Sequence, residues 1–134
     1  MLASGLPEHV GDEEDLARFL TSTSYFSSTV AKPPGFLPPV NDPETSVFRH
    51  GSEPRAALWA IGEEHAAVGR TIHAAAIVKA LDVRAAQLDV AVDEPPPRHA
   101  VIRGWPSDDD PELQKAKRKE RAVLIASKAV LLRP

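Results

Sequence analysis

The sequence predicts an α+β fold: a single compact domain with a small sheet, two to three helices and a proline-rich extended arm. Three observations predict it. TSVFR at 45–49, DVAVD at 89–93 and HAVIR at 99–103 are β-prone or alternate, as strands that bury one face do. Asp110 and Pro111 open a long helical pattern, a capping carboxylate followed by a residue whose missing N–H costs nothing in a first turn. Thirteen prolines in 134 residues exceed the usual ~5%, so several segments are held extended or turned.

Residues 1–11 are polar, with Gly and Pro, and read as a disordered N-terminus; residues 12–134 form the domain. Asp12 opens a short helical pattern, with Leu16, Phe19 and Leu20 at i, i+3, i+4 and acids in the first turn. The hydroxyl-rich and proline-paired stretch 21–43 is the extended arm, with Phe26, Phe36 and Leu37 pinned into the core. Strand 45–49 follows. Ser52 then caps a helix with Pro54 in its first turn and Leu58, Trp59 and Ile61 as apolar positions, ending at Gly62 or Gly69.

From Thr71 the chain reads TIHAAAIVKAL, where Ala favours helix and Thr, Ile and Val favour strand. A strand over 71–78 and a helical turn over 82–88 are preferred. Strand 89–93 must stop at prolines 95–97, a polyproline segment that cannot donate to a sheet. In strand 99–103, His99, Val101 and Arg103 share one face, and Ala100 and Ile102 the other. Gly104 and Pro106 end it, and Trp105 folds back as a lid on the core. The last helix covers most of 111–127, with Leu113, Ala116, Val123, Leu124 and Ala126 as its apolar stripe, and Val130–Leu132 forms an edge strand.

Composition excludes several classes. A net charge of −3 gives no general pull toward nucleic acid or anionic membrane. With no cysteine there are no disulfides, thiolate metal sites or cysteine nucleophiles. No apolar run approaches the ~20 residues that span a bilayer, and MLASGLPEHVGDEED has no basic or apolar leader region, so a cytoplasmic protein is expected. Glu64 and His65 are adjacent and no H-x-x-x-H occurs, so no metal is expected. Phosphate-binding and dinucleotide glycine motifs and the Gly-x-Ser-x-Gly elbow are missing too, so no cofactor is expected.

RFL at 18–20, the YF after it, KPPGFLPP at 32–39, TSVFR at 45–49 and HAVIRGWP at 99–106 together resemble a family of small uncharacterised bacterial and phage-borne proteins. The resemblance covers most of the chain. It implies a bacterial or phage setting and carries no activity, cofactor or catalytic residue.

Four constellations bear on function. His73 and His99 each start a strand with small apolar residues behind, so side by side they form a general acid and base on one phosphate. Ala75 and Val101 stand where such twin motifs carry a hydroxyl, which favours two plain strand-end histidines. Arg49, His50 and Glu53 can orient a pyrophosphate, yet the plainer reading is a capped helix start with solvated charges. Lys115, Arg118 and Lys119 form one side of a basic stripe, the sole nucleic-acid candidate; it lies after an acidic cap in an acidic chain, so a solvated face is preferred. Tyr25, Phe26 and Phe36 of the arm, with Arg98, His99 and Trp105, are the candidate binding surface.

The leading expectation is therefore a small non-enzymatic accessory protein acting through contacts with another protein. The alternative is a His-dependent phosphoesterase or nucleotide-processing enzyme built on His73, His99 and Arg49. For His99 a structural role is expected, its ring nitrogens satisfied by a backbone carbonyl or a nearby carboxylate.

Overall fold

In the computed structural model, which describes residues 2–50, 54–66 and 68–134, the alternating segments are strands of one antiparallel sheet. Among the described residues there are six strands: β1 (Asp15–Leu20), β2 (Thr45–Arg49), β3 (Ala74–Lys79), β4 (Asp89–Val92), β5 (His99–Arg103) and β6 (Val130–Leu132). Their order across the sheet is β4-β5-β2-β1-β3-β6. Three helices join them: α1 (Arg55–His65), α2 (Ala80–Ala85) and α3 (Pro111–Lys128). The expected α+β class holds.

Strand alternation divides the core. Leu16, Leu20, Val47, Ala76, Val78 and Ile102 face α2, α3 and the arm, where Phe36 and Ile125 complete the larger cluster. Ala17 and Ala75 point the other way and meet Leu58 of α1. On β2 and β5 that second face carries buried Phe48 and Val101 beside exposed Ser46 and Arg103.

The expected helix from Asp12 is wrong: the segment is β1, paired to both β2 and β3. A central strand buries both faces, so Leu16, Ala17 and Leu20 are all buried and strict alternation is lost. Over so few residues the surviving spacing imitates a helix. The expected polyproline segment is likewise corrected. Residues 95–97 turn the chain between β4 and β5, the His99 amide donates to the Pro96 carbonyl at 3.1 Å, and Arg98 sits at φ 71°.

The ambiguous alanine-rich run is a strand from Ala74, and α2 takes the following turn. Ser52 lies outside the described residues. α1 begins after Pro54 and runs through Gly62 rather than ending there. Asp110 caps α3 as predicted, its carboxylate accepting the Glu112 amide at 2.9 Å. The predicted α3 stripe is rotated, however. Leu113, Val123 and Leu124 face solvent, while Arg118, Ala122, Ile125 and Ala126 are buried. Arg118, expected on a solvated face, donates instead to the Pro106 and Val40 carbonyls, and its stem packs as apolar surface.

The N-terminal stretch makes specific contacts with the rest of the domain. Val10 is buried in the core, and Ser4 donates from its amide and hydroxyl to the Glu94 carboxylate. Fully buried Arg49 is the clasp: Nε and Nη2 reach the two Glu14 oxygens at 2.7 and 2.8 Å, and Nη1 reaches the Pro7 carbonyl at 2.7 Å. Burial alone would raise the Glu14 carboxyl, but the Arg49 hydrogen bonds and charge, with the Gly11 amide, bring it below its ordinary 4.5. A carboxyl lowered in the folded state stabilises above its unfolded value, and that stability is lost as pH falls through the folded one. Glu14→Gln should melt below the parent near neutral pH, and the gap should narrow as pH falls below the ordinary 4.5 and through the still lower folded value.

Candidate active site

β1 and β2 pair at Leu16↔Arg49 and Ala17↔Phe48 and then part. Arg18 fills the opening. Its Nε donates to the Gly35 carbonyl at 2.8 Å, and its Nη1 takes the Ser46 carbonyl at 3.0 Å, which a continued ladder would have used. The arm sets this geometry, because the turn at Pro33–Phe36 lays Gly35 against Leu20, where a Cβ would come within 2.9 Å of Cδ2. The opening widens into a cleft of about 390 Å³ whose walls include Arg18, Tyr25, Ser46, Phe48, His65 and Arg70.

Aromatic packing positions the far wall. Gly62 lets α1 approach so closely that a Cβ there would sit 2.7 Å from Phe19 Cε1. The His65 ring at the end of α1 then stacks on Phe48, with centroids 5.1 Å apart and an interplanar angle of 16°. His99 meets the same Phe48 ring edge-on at 5.2 Å.

His99 and Phe48 are register partners on β5 and β2, so strand alternation places Ser46, Phe48 and His99 on one face. His99 Nε2 lies 3.1 Å from the Ser46 hydroxyl. Its Nδ1 lies 2.9 Å from the Asp93 carbonyl and 3.1 Å from an Asp93 carboxylate oxygen. Both Asp93 oxygens accept, so in the neutral ring Nδ1 carries the proton and Nε2 accepts from the Ser46 hydroxyl. Carboxylate, imidazole and exposed hydroxyl thus form one chain ending at the cleft. The expected local satisfaction of His99 holds, with Ser46 as an addition.

The other predicted residues fall elsewhere. His73 does not join His99, since β2 and β1 stand between their strands, a lateral separation of about 14 Å at the usual strand spacing. Arg49 belongs to the N-terminal clasp, and Glu53 lies outside the described residues. Phe26, Phe36 and Trp105 are core residues rather than a docking surface, and the Trp105 indole donates to the Ile102 carbonyl at 3.1 Å. Arg98 donates to the Arg49 carbonyl at 2.8 Å. Tyr25 alone of the arm aromatics reaches the cleft. Lys115 and Lys119 are exposed, but buried Arg118 breaks the basic stripe between them.

Reading the sequence missed Ser46, Asp93, Arg18, His65 and Arg70. A signal existed for Ser46 alone, the one small polar residue inside TSVFR on the face of Phe48. Among the described residues no cluster of three or more His, Asp or Glu is arranged to hold a metal, and no helix is long and apolar enough to cross a membrane. No family model, curated protein or solved structure matches the chain.

Proposed function

We propose that the protein is a small hydrolase in which Ser46 attacks an ester, His99 takes its proton and Asp93 holds the ring in the reactive tautomer. The carrying observation is the unbroken Asp93–His99–Ser46 chain, with the hydroxyl exposed at a cleft and the imidazole largely shielded. A serine hydroxyl is a weak nucleophile until an adjacent base receives its proton, and that base needs a third group to orient it. All three roles are filled here. Ser46 Oγ bonds to the reacting centre as its proton passes to His99 Nε2, and that proton then leaves with the departing alcohol. Water, deprotonated by the same nitrogen, releases the second product and restores Ser46. A strand residue's N–H and C=O leave on the same side, so the Ser46 amide faces the opening that its carbonyl shares with Arg18. Charge developing on the substrate oxygen there meets an amide and a guanidinium.

A fluorophosphonate probe tests the reading directly. Intact-mass and peptide analysis should place one adduct on Ser46 in the parent, with none in Ser46→Ala and little in His99→Ala. An unlabelled parent that is folded and turns over no 4-nitrophenyl acetate would count against the hydrolase.

A second reading, a non-enzymatic bacterial or phage accessory protein working by protein contacts, is favoured by the groove between the arm and α3. Leu37, Pro38, Val40 and Pro111 bound it, and Val40 is 70% exposed. It gains if Ser46 proves inert while Val40→Glu folds like the parent and loses a defined complex that the parent forms.

A further inference from the structure

We infer that the cleft beside Ser46 receives a phosphate ester, with Arg18 and Arg70 as the residues that recognise its anionic group. The inference rests on the hydrolase reading for the reaction; Arg18 also meets the developing charge there, so Arg70 is the recognition residue on which the test turns. Elsewhere in this acidic chain several cations find carboxylates, while buried Arg118 is held by two backbone carbonyls. Arg49 holds Glu14 at 2.7 Å, Arg84 holds Asp12 at 2.6 Å, and Lys117 holds Asp108 at 2.7 Å. The two cleft arginines do not. Among the described residues neither Arg18 nor Arg70 has a carboxylate partner, and no carboxylate lines the cleft.

Arg18 is the sharper case. It is half-buried and hydrogen-bonded to two backbone carbonyls, and its Nη2 has no protein partner among the described residues. Burial pulls this guanidinium below its ordinary value, and Tyr25 offsets only part of the effect. A partly desolvated cation without a counter-charge gains when an anion arrives in the cleft. Two guanidinium charges match a phosphate dianion better than a single carboxylate. The Thr21 and Tyr25 hydroxyls on the same wall add donors, and His65 and Phe19 offer ring surface for the organic part. In the reaction Ser46 Oγ bonds to phosphorus, the ester P–O bond breaks, and the departing alkoxide takes the proton held by His99. Water then cleaves the phosphoserine.

Calorimetric titration with inorganic phosphate at low salt tests recognition without chemistry. The parent and Ser46→Ala should bind alike. Arg70→Gln should bind about tenfold more weakly, and Arg55→Gln, an exposed α1 charge outside the cleft, should match the parent. In kinetics, Arg70→Gln should lower kcat/KM for 4-nitrophenyl phosphate about tenfold, and Arg55→Gln should leave the rates on 4-nitrophenyl phosphate and 4-nitrophenyl acetate unchanged. Because Arg18 also supports the fold, Arg18→Lys serves as the second variant and should weaken phosphate binding with circular dichroism unaltered. Equal phosphate binding by the parent and Arg70→Gln, beside Ser46-dependent acetate hydrolysis, overturns the inference and leaves the hydrolase standing. Arg70-dependent phosphate binding with an inert Ser46 does the reverse: the anion site stands and the hydrolase falls.

Discussion

His99→Ala should lose about 10²–10⁴-fold in kcat/KM for ester hydrolysis, the usual contribution of a positioned general base. The substitution removes the acceptor for the Ser46 proton and the donor to the departing alcohol. It also abandons the Asp93 carbonyl and the Ser46 hydroxyl, both near the surface, where water replaces the lost partner. The folding cost should therefore stay within about 1–3 kcal/mol, which leaves most of the protein native at room temperature. Asp93→Asn is the positioning control. The Asp93 backbone carbonyl still accepts from Nδ1 at 2.9 Å and the carboxylate is 58% exposed, so the rate should fall far less and the melt should not move. A denaturant melt beside initial rates on 4-nitrophenyl acetate decides it. A folded His99→Ala protein with parental rates would end the catalytic assignment.

The largest effect on stability is expected at Phe36. Its ring is fully buried between the arm, the sheet and α3, and Phe→Ala at such a site costs about 3–5 kcal/mol through lost burial and the cavity left behind. Against a total of about 5–15 kcal/mol for an ordinary domain, that approaches loss of the fold. The effect should reach the cleft, because Phe36 anchors the turn whose Gly35 carbonyl holds Arg18. Phe36→Leu, which keeps more of the volume, should recover much of the stability. Urea unfolding of the three proteins measures this. A Phe36→Ala cost under about 1 kcal/mol would mean that the arm is a detachable covering and not a part of the core.

Local chemistry determined much of this molecule. β2 lies where a β-prone run placed it and β5 where short alternation did, and α3 starts at the aspartate–proline pair because a cap and a fixed φ act within one turn. The side of β5 that carries His99, and the burial of Trp105, also followed from neighbouring residues, since a strand's two faces need only its own pleat. Three features depended on partners far along the chain. β1 became a strand because β2 and β3 flank it, and flanking on both sides removed the alternation by which it would have been read. Arg118 and Arg49 went inside because carbonyls and a carboxylate from remote segments met their guanidiniums. Strand order parted His73 from His99 and set Ser46 against it instead. Pairing across a sheet is settled by which faces bury together; the 93–99 contact is local to the β4–β5 turn, and the pairing of β2 with β5 is what sets residue 46 against residue 99.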